Sequence, residues 1–85
     1  MEYLIVSFRS RSSTVKFSEI LLRNNIPCEI VNTPKEVGIG CGLSAKISQK
    51  HVMIAKKIVK MASLSSFVGV FSVKTLGGRT HIKSI

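Results

Sequence analysis

One cysteine stands where a thiol is easy to reach. Cys41 lies between Gly40 and Gly42, inside Thr33-Pro34-Lys35-Glu36-Val37-Gly38-Ile39-Gly40-Cys41-Gly42, a stretch holding one of the two prolines and three of the six glycines. Flanking glycines put no bulky side chain beside the sulfur and let a ligand approach the backbone closely. The chemistry such a thiol can do is that of a soft nucleophile: holding sulfur or selenium as a persulfide or selenosulfide, or attacking such an atom on a donor. This needs thiolate, and positive charge nearby favours thiolate over thiol. Arg9, Arg11 and Lys35 are the candidate charges, and the unpaired N–H groups at a helix start add about half a charge more. Spacing alone leaves a second account open, in which the glycines only shape a hairpin turn and Cys41 is a small apolar filler. The other cysteine, Cys28, reads as buried filler at the start of a strand. It is expected at the opposite end of the sheet from Cys41, beyond the ~7 Å Cα separation that a disulfide tolerates.

Which elements would position these residues follows from the hydrophobic pattern. Glu2 to Phe8 (EYLIVSF) is β-branched and aromatic with little alternation, as expected of a central strand buried on both faces. A hydroxyl-rich turn, Arg9-Ser10-Arg11-Ser12-Ser13-Thr14, offers helix N-caps ahead of Phe17, Ile20, Leu21 and Asn24 at helical spacing, which predicts a helix from about Ser13 to Asn24. Pro27 stops any continuation, so a short strand is expected from Cys28 to about Asn32. Leu43 to Ser48 alternates as a strand with one wet face. Ser48 can then cap a second helix with Ala55, Ile58, Val59 and Ala62 inward and Lys50, Lys56, Lys57 and Lys60 outward. Phe67 to Lys74 is the last predicted strand, and the residues from Thr75 onward, with Gly77-Gly78, read as a polar tail. The order β-α-β-β-α-β with right-handed crossovers predicts an α+β, ferredoxin-like fold: a four-stranded antiparallel sheet with two helices on one face. One domain is expected over residues 1–75, with a tail over 76–85. This topology places the Gly-Cys hairpin at the same end of the sheet as the start of the first helix.

Composition narrows the function classes. At 85 residues and 45% hydrophobic, the chain is one small folding unit and not a disordered polyelectrolyte. Thirteen Lys and Arg against four acidic residues, all Glu, give a formal charge of +9, which favours an anionic partner. The longest unbroken apolar runs are four residues, as at Tyr3 to Val6, far short of the ~18 residues of a membrane span. With no basic, apolar leader at the N-terminus, the expected location is cytoplasmic. The sequence contains no CxxC and no Cys/His cluster, so no metal or cofactor is expected. The glycines lack the Lys-Ser/Thr of a phosphate loop, and no pattern orients a base toward Cys41, so a carrier or binding protein is expected in preference to an enzyme. The rival reading is a small basic RNA-binding or protein-interaction module without thiol chemistry. Its stacking candidates are Tyr3, Phe67 and Phe71, which are expected to fill the core instead. The lysine face of the second helix suits either plain solvation or docking of an acidic partner protein, such as a sulfur or selenium donor or acceptor. The short second strand, at a sheet edge, allows a homodimer.

The ordered set Phe8-Arg9-Ser10, Asn25-Ile26-Pro27, Thr33-Pro34-Lys35 and Cys41-Gly42-Leu43 resembles the selenium/sulfur (Se/S) carrier protein-like family of small bacterial domains. The resemblance spans Tyr3 to about Lys74. It implies a carrier role with Cys41 as the working thiol, in a loop shaped by Pro34, Lys35 and Gly42. The chain departs from the family pattern at Val37-Gly38-Ile39-Gly40, where small hydroxyl residues are usual, and at Lys35, where Arg is common. Lysine offers a point charge in place of a planar fork.

Overall fold

The computed structural model describes residues 2–38, 42–62, 64 and 66–85. β1 (Glu2–Phe8) leads into α1 (Arg11–Arg23), β2 (Glu29–Asn32) and β3 (Leu43–Ile47), followed by α2 (Val52–Met61), β4 (Phe67–Leu76) and β5 (Arg79–Ser84). The strands form one five-stranded antiparallel sheet in the order β2-β3-β1-β4-β5. The expected α+β class and β-α-β-β-α-β order are found, whereas the expected count of four strands is exceeded. The added strand comes from the segment read as a polar tail. Gly77 and Gly78 both adopt positive φ, 55° and 78°, as a two-residue type I′ hairpin demands, and they fold Arg79–Ser84 back along β4.

β1 is central, and every residue from Leu4 to Phe8 is buried. Its even-numbered side chains, Leu4, Val6 and Phe8, join Ala45, Ile47 and Val70 of the neighbouring strands in one core with Phe17 and Leu21 of α1 and Ala55 and Val59 of α2. Both helices therefore pack on the same face of β1. The odd-numbered Ile5 and Ser7 are equally buried but lie on the other face, where they sit opposite Phe71 and Gly69 of β4 and Lys46 and Ser44 of β3. A side chain at Gly69 would meet the Phe71 ring at 3.4 Å, so the absent side chain leaves room for that ring.

Three local expectations are corrected. α1 begins at Arg11, capped by Ser10, about two residues before the predicted start, because the Ser13 and Thr14 side chains are buried and cannot sit outside the helix as caps. Ser44 is fully buried and not on a wet face, since its hydroxyl is satisfied by other hydroxyls. The three sheet aromatics do not fill the core. The register slips between Ser7 and Phe8, setting Gly69 opposite Ser7 but Phe67 opposite Phe8, so Val68 is an extra residue in β4. The bulge turns Phe67 onto the helix face, edge-on to Phe8 with centroids 5.8 Å apart and 43% exposed. Tyr3 and Phe71 are half-buried on the opposite face, and the Lys46 ammonium sits 4.4 Å from the Tyr3 ring centroid.

Candidate functional site

The two segments singled out for thiol chemistry leave the sheet at one end. β1 finishes at Phe8, and the register Ser7↔Ser44 and Asn32↔Leu43 puts the β2–β3 connection beside it. β1 and β2 are separated only by β3, about 10 Å at ordinary strand spacing. The sequence reading of this juxtaposition rested on topology, and the pairing of the strands reproduces it.

On the α1 side, Ser10 is in extended conformation and its hydroxyl accepts from Ser13 N–H at 3.3 Å, while Thr14 Oγ1 donates to the Ser10 carbonyl. The Ser12 and Ser10 hydroxyls are 2.7 Å apart. Ser66, just ahead of β4, ties the turn down: its carbonyl accepts from Arg9 N–H at 2.8 Å and its hydroxyl accepts from Ser10 N–H at 3.1 Å. Ser66 has φ of 62°, a conformation unusual for a residue with a side chain. The first turn of α1 contains no acidic residue, and Arg9 and Arg11 are exposed beside it. The helix start is therefore positive, and the acidic residue at this end of the sheet is Glu36 of the hairpin.

On the hairpin side, Thr33 N–H donates to the Gly42 carbonyl at 2.8 Å and closes the base of the connection. Pro34 precedes a 3₁₀ turn, Lys35–Val37, that ends at Gly38 with φ of 72°. Gly42 has φ of 90° with open space around it, so a side chain there is opposed by backbone conformation and not by crowding. Lys35 is exposed. Of the predicted site residues, Arg9, Ser10, Arg11, Pro34, Lys35 and Gly42 thus gather at this end of the sheet. Cys41 and Gly40 lie outside the described residues.

A hydroxyl chain that sequence reasoning missed runs beneath the hairpin. Thr33 Oγ1 lies 2.6 Å from Ser44 Oγ, which lies 2.8 Å from Ser7 Oγ. Ser7 and Ser44 are fully buried, so each hydroxyl needs this partner. The chain pins the base of the β2–β3 connection to the central strand. A serine within the apolar run of β1, and another facing it in β3, was the available signal.

Cys28 is free and half-buried, and lies in a shallow groove with Tyr3, Glu29 and Lys46 at the other end of the sheet. Burial first, and the neighbouring Glu29 carboxylate second, push its pKa from 9.0 up to about 11. It is a protonated, weakly reactive thiol at neutral pH, in keeping with the filler role expected of it. Because the folded thiol holds its proton more tightly than the unfolded one, the unfolded state ionises first between about pH 9 and 11, and stability falls as pH rises through that window. Denaturation midpoints at pH 8 and pH 10.5 are expected to drop more for the native chain than for Cys28→Ser. An equal drop would contradict this assignment.

Among the described residues no group of three or more His, Cys, Asp or Glu side chains is placed to hold a metal ion. No helix among them is long and apolar enough to cross a membrane.

The arrangement defines a class: a small α+β domain whose glycine-rich hairpin and basic helix start share one end of an antiparallel sheet. The chain belongs to the family described as "Putative Se/S carrier protein-like", which matches residues 2–65. The match runs from β1 through α2 and ends ahead of β4. No curated protein and no solved structure matches the chain.

Proposed function

We propose that this protein is a selenium or sulfur carrier in which Cys41 is the loading thiol, acting as a relay and not as an enzyme. Family membership carries the reading. It is supported by the convergence of the hairpin's two anchored ends with the start of α1, where exposed Arg9 and Arg11 and the N–H groups of the first turn make the field positive. A field of that sign favours a thiolate or a hydropersulfide anion over the neutral form. Loading is a thiol exchange: the thiolate attacks the terminal sulfur of a donor persulfide, R–S–SH, a new S–S bond forms, and RS⁻ leaves. Cys–S–SH results, the proton stays on the transferred sulfur, and no external oxidant or reductant enters. The same exchange in reverse hands the atom to an acceptor thiolate. Selenium follows the same steps as a selenosulfide.

Pro34 and Gly42 shape the loop in this reading, Gly40 lets a donor approach, and Lys35 adds a mobile charge. Ser10 fixes the helix start. The protein works in the cytoplasm, where a reducing environment keeps the resting thiol free. Incubation with a small-molecule persulfide carrying labelled sulfur tests the assignment. Cys28→Ser is expected to take up label as the native chain does, and Cys41→Ser to take up none. Label retained by Cys41→Ser and lost by Cys28→Ser would reverse it.

A further inference from the structure

An open groove of about 660 Å³ lies between α2 and β4. Its walls differ in kind. Val59, Phe67, Val70 and Ile85 give an apolar strip, while Lys56, Lys57 and Lys60 line the α2 side. The four Glu side chains, Glu2, Glu19, Glu29 and Glu36, are all elsewhere, so no acidic side chain lines the groove. Lys56 Nζ donates to the main-chain oxygen of Ile85, the last residue, at 3.2 Å, leaving Lys57 and Lys60 as the uncommitted charges. Two features of β4 bear on the groove. The bulge in β4 swings Phe67 onto the helix face, and β5 covers β4 only from Phe71 to Leu76, with one further bond from Ile85 N–H to the Val70 carbonyl. Phe67 opposes the end of β1, so the groove reaches the end of the sheet from which the Cys41 hairpin also leaves.

We propose that this groove docks an acidic segment of a partner protein that inserts an apolar side chain between Val59, Phe67 and Val70 and sets carboxylates against Lys57 and Lys60. An exposed aromatic beside a concave apolar strip, rimmed by one sign of charge, is how a partner's anchor residue and its flanking acids are received. Nucleic acid would use the lysines and leave the apolar strip unused. A second copy would bring its own +9 to a basic rim. The proposal deepens the carrier reading, which requires that a donor or acceptor dock near the hairpin, but it uses nothing of the thiol.

The test is made on the full chain carrying Cys41→Ser, so that a failure of thiol chemistry cannot affect it. A twelve-residue peptide of Glu, Asp and Leu is titrated against the protein at ~0.15 M salt while backbone amide shifts are followed. Shifts are expected to concentrate on residues 56–60, 67–70 and 85. The pair Lys57→Glu and Lys60→Glu is expected to weaken binding roughly tenfold or more, and Ile85→Ser several-fold, with circular dichroism unchanged. An all-Glu peptide, a mixed oligonucleotide and anionic lipid vesicles serve as rivals. Equal or tighter binding of any of them, shifts centred elsewhere, or indifference to the lysine reversals would overturn the proposal.

Discussion

Phe8→Ala is expected to cost about 3–5 kcal/mol of folding stability, the range for emptying a fully buried aromatic site. Phe8 has no exposed surface, and its ring meets Phe17 of α1 at 5.4 Å and Phe67 of β4 at 5.8 Å, so one side chain joins the central strand, the first helix and the edge of the groove. Domains of this size have about 5–15 kcal/mol in total, so the substitution removes a large share. The cavity cannot collapse easily, because β1 is held on both sides by strand pairing. The denaturant midpoint should fall while the slope stays constant. Phe67→Ala, at a site already 43% exposed, should cost clearly less. A loss below ~1 kcal/mol for Phe8→Ala would mean that this ring is not the centre of the core.

The two thiols should differ in alkylation rate by at least an order of magnitude. With its pKa at about 11, Cys28 is thiolate at a level on the order of 1 in 10,000 at pH 7. An unperturbed thiol, at the 9.0 from which Cys28 is raised, would be roughly 1% thiolate, some hundredfold more. A more basic thiolate is intrinsically the better nucleophile, which returns a little under tenfold to Cys28 and leaves a net ratio of roughly ten. Half-burial of Cys28 widens the gap, and any positive field on Cys41 widens it further. Iodoacetamide should therefore react about ten times faster or more with Cys28→Ser, which keeps Cys41, than with Cys41→Ser. Equal rates would show that Cys41 is not the accessible thiol of this chain.

Most of the scaffold was legible because its signals are local and strong. The apolar run of β1, the Phe17 and Leu21 spacing of α1 and the stop at Pro27 each leave one reading. The fifth strand was missed for a physical reason. Arg79–Ser84 is almost wholly exposed, so it shows no apolar alternation, and its evidence lay in Gly77-Gly78 alone. The bulge that turns Phe67 was not legible, since it depends on the register between two distant segments. Of the candidate site, the topology brought Arg9, Ser10, Arg11, Pro34, Lys35 and Gly42 to one end as expected. The hydroxyl chain from Thr33 through Ser44 to Ser7 escaped because a serine in a strand reads as surface until its partner across the sheet is known.

The most direct measurement is intact-protein and peptide mass spectrometry of the chain purified without reductant from cells supplied with sulfide or selenite. A carrier predicts added mass of one sulfur or selenium atom, located on the peptide containing Cys41, released by thiol reductant and absent from Cys41→Ser. Recovery of Cys41 only as the bare thiol, or of the added atom on Cys28, would contradict the account.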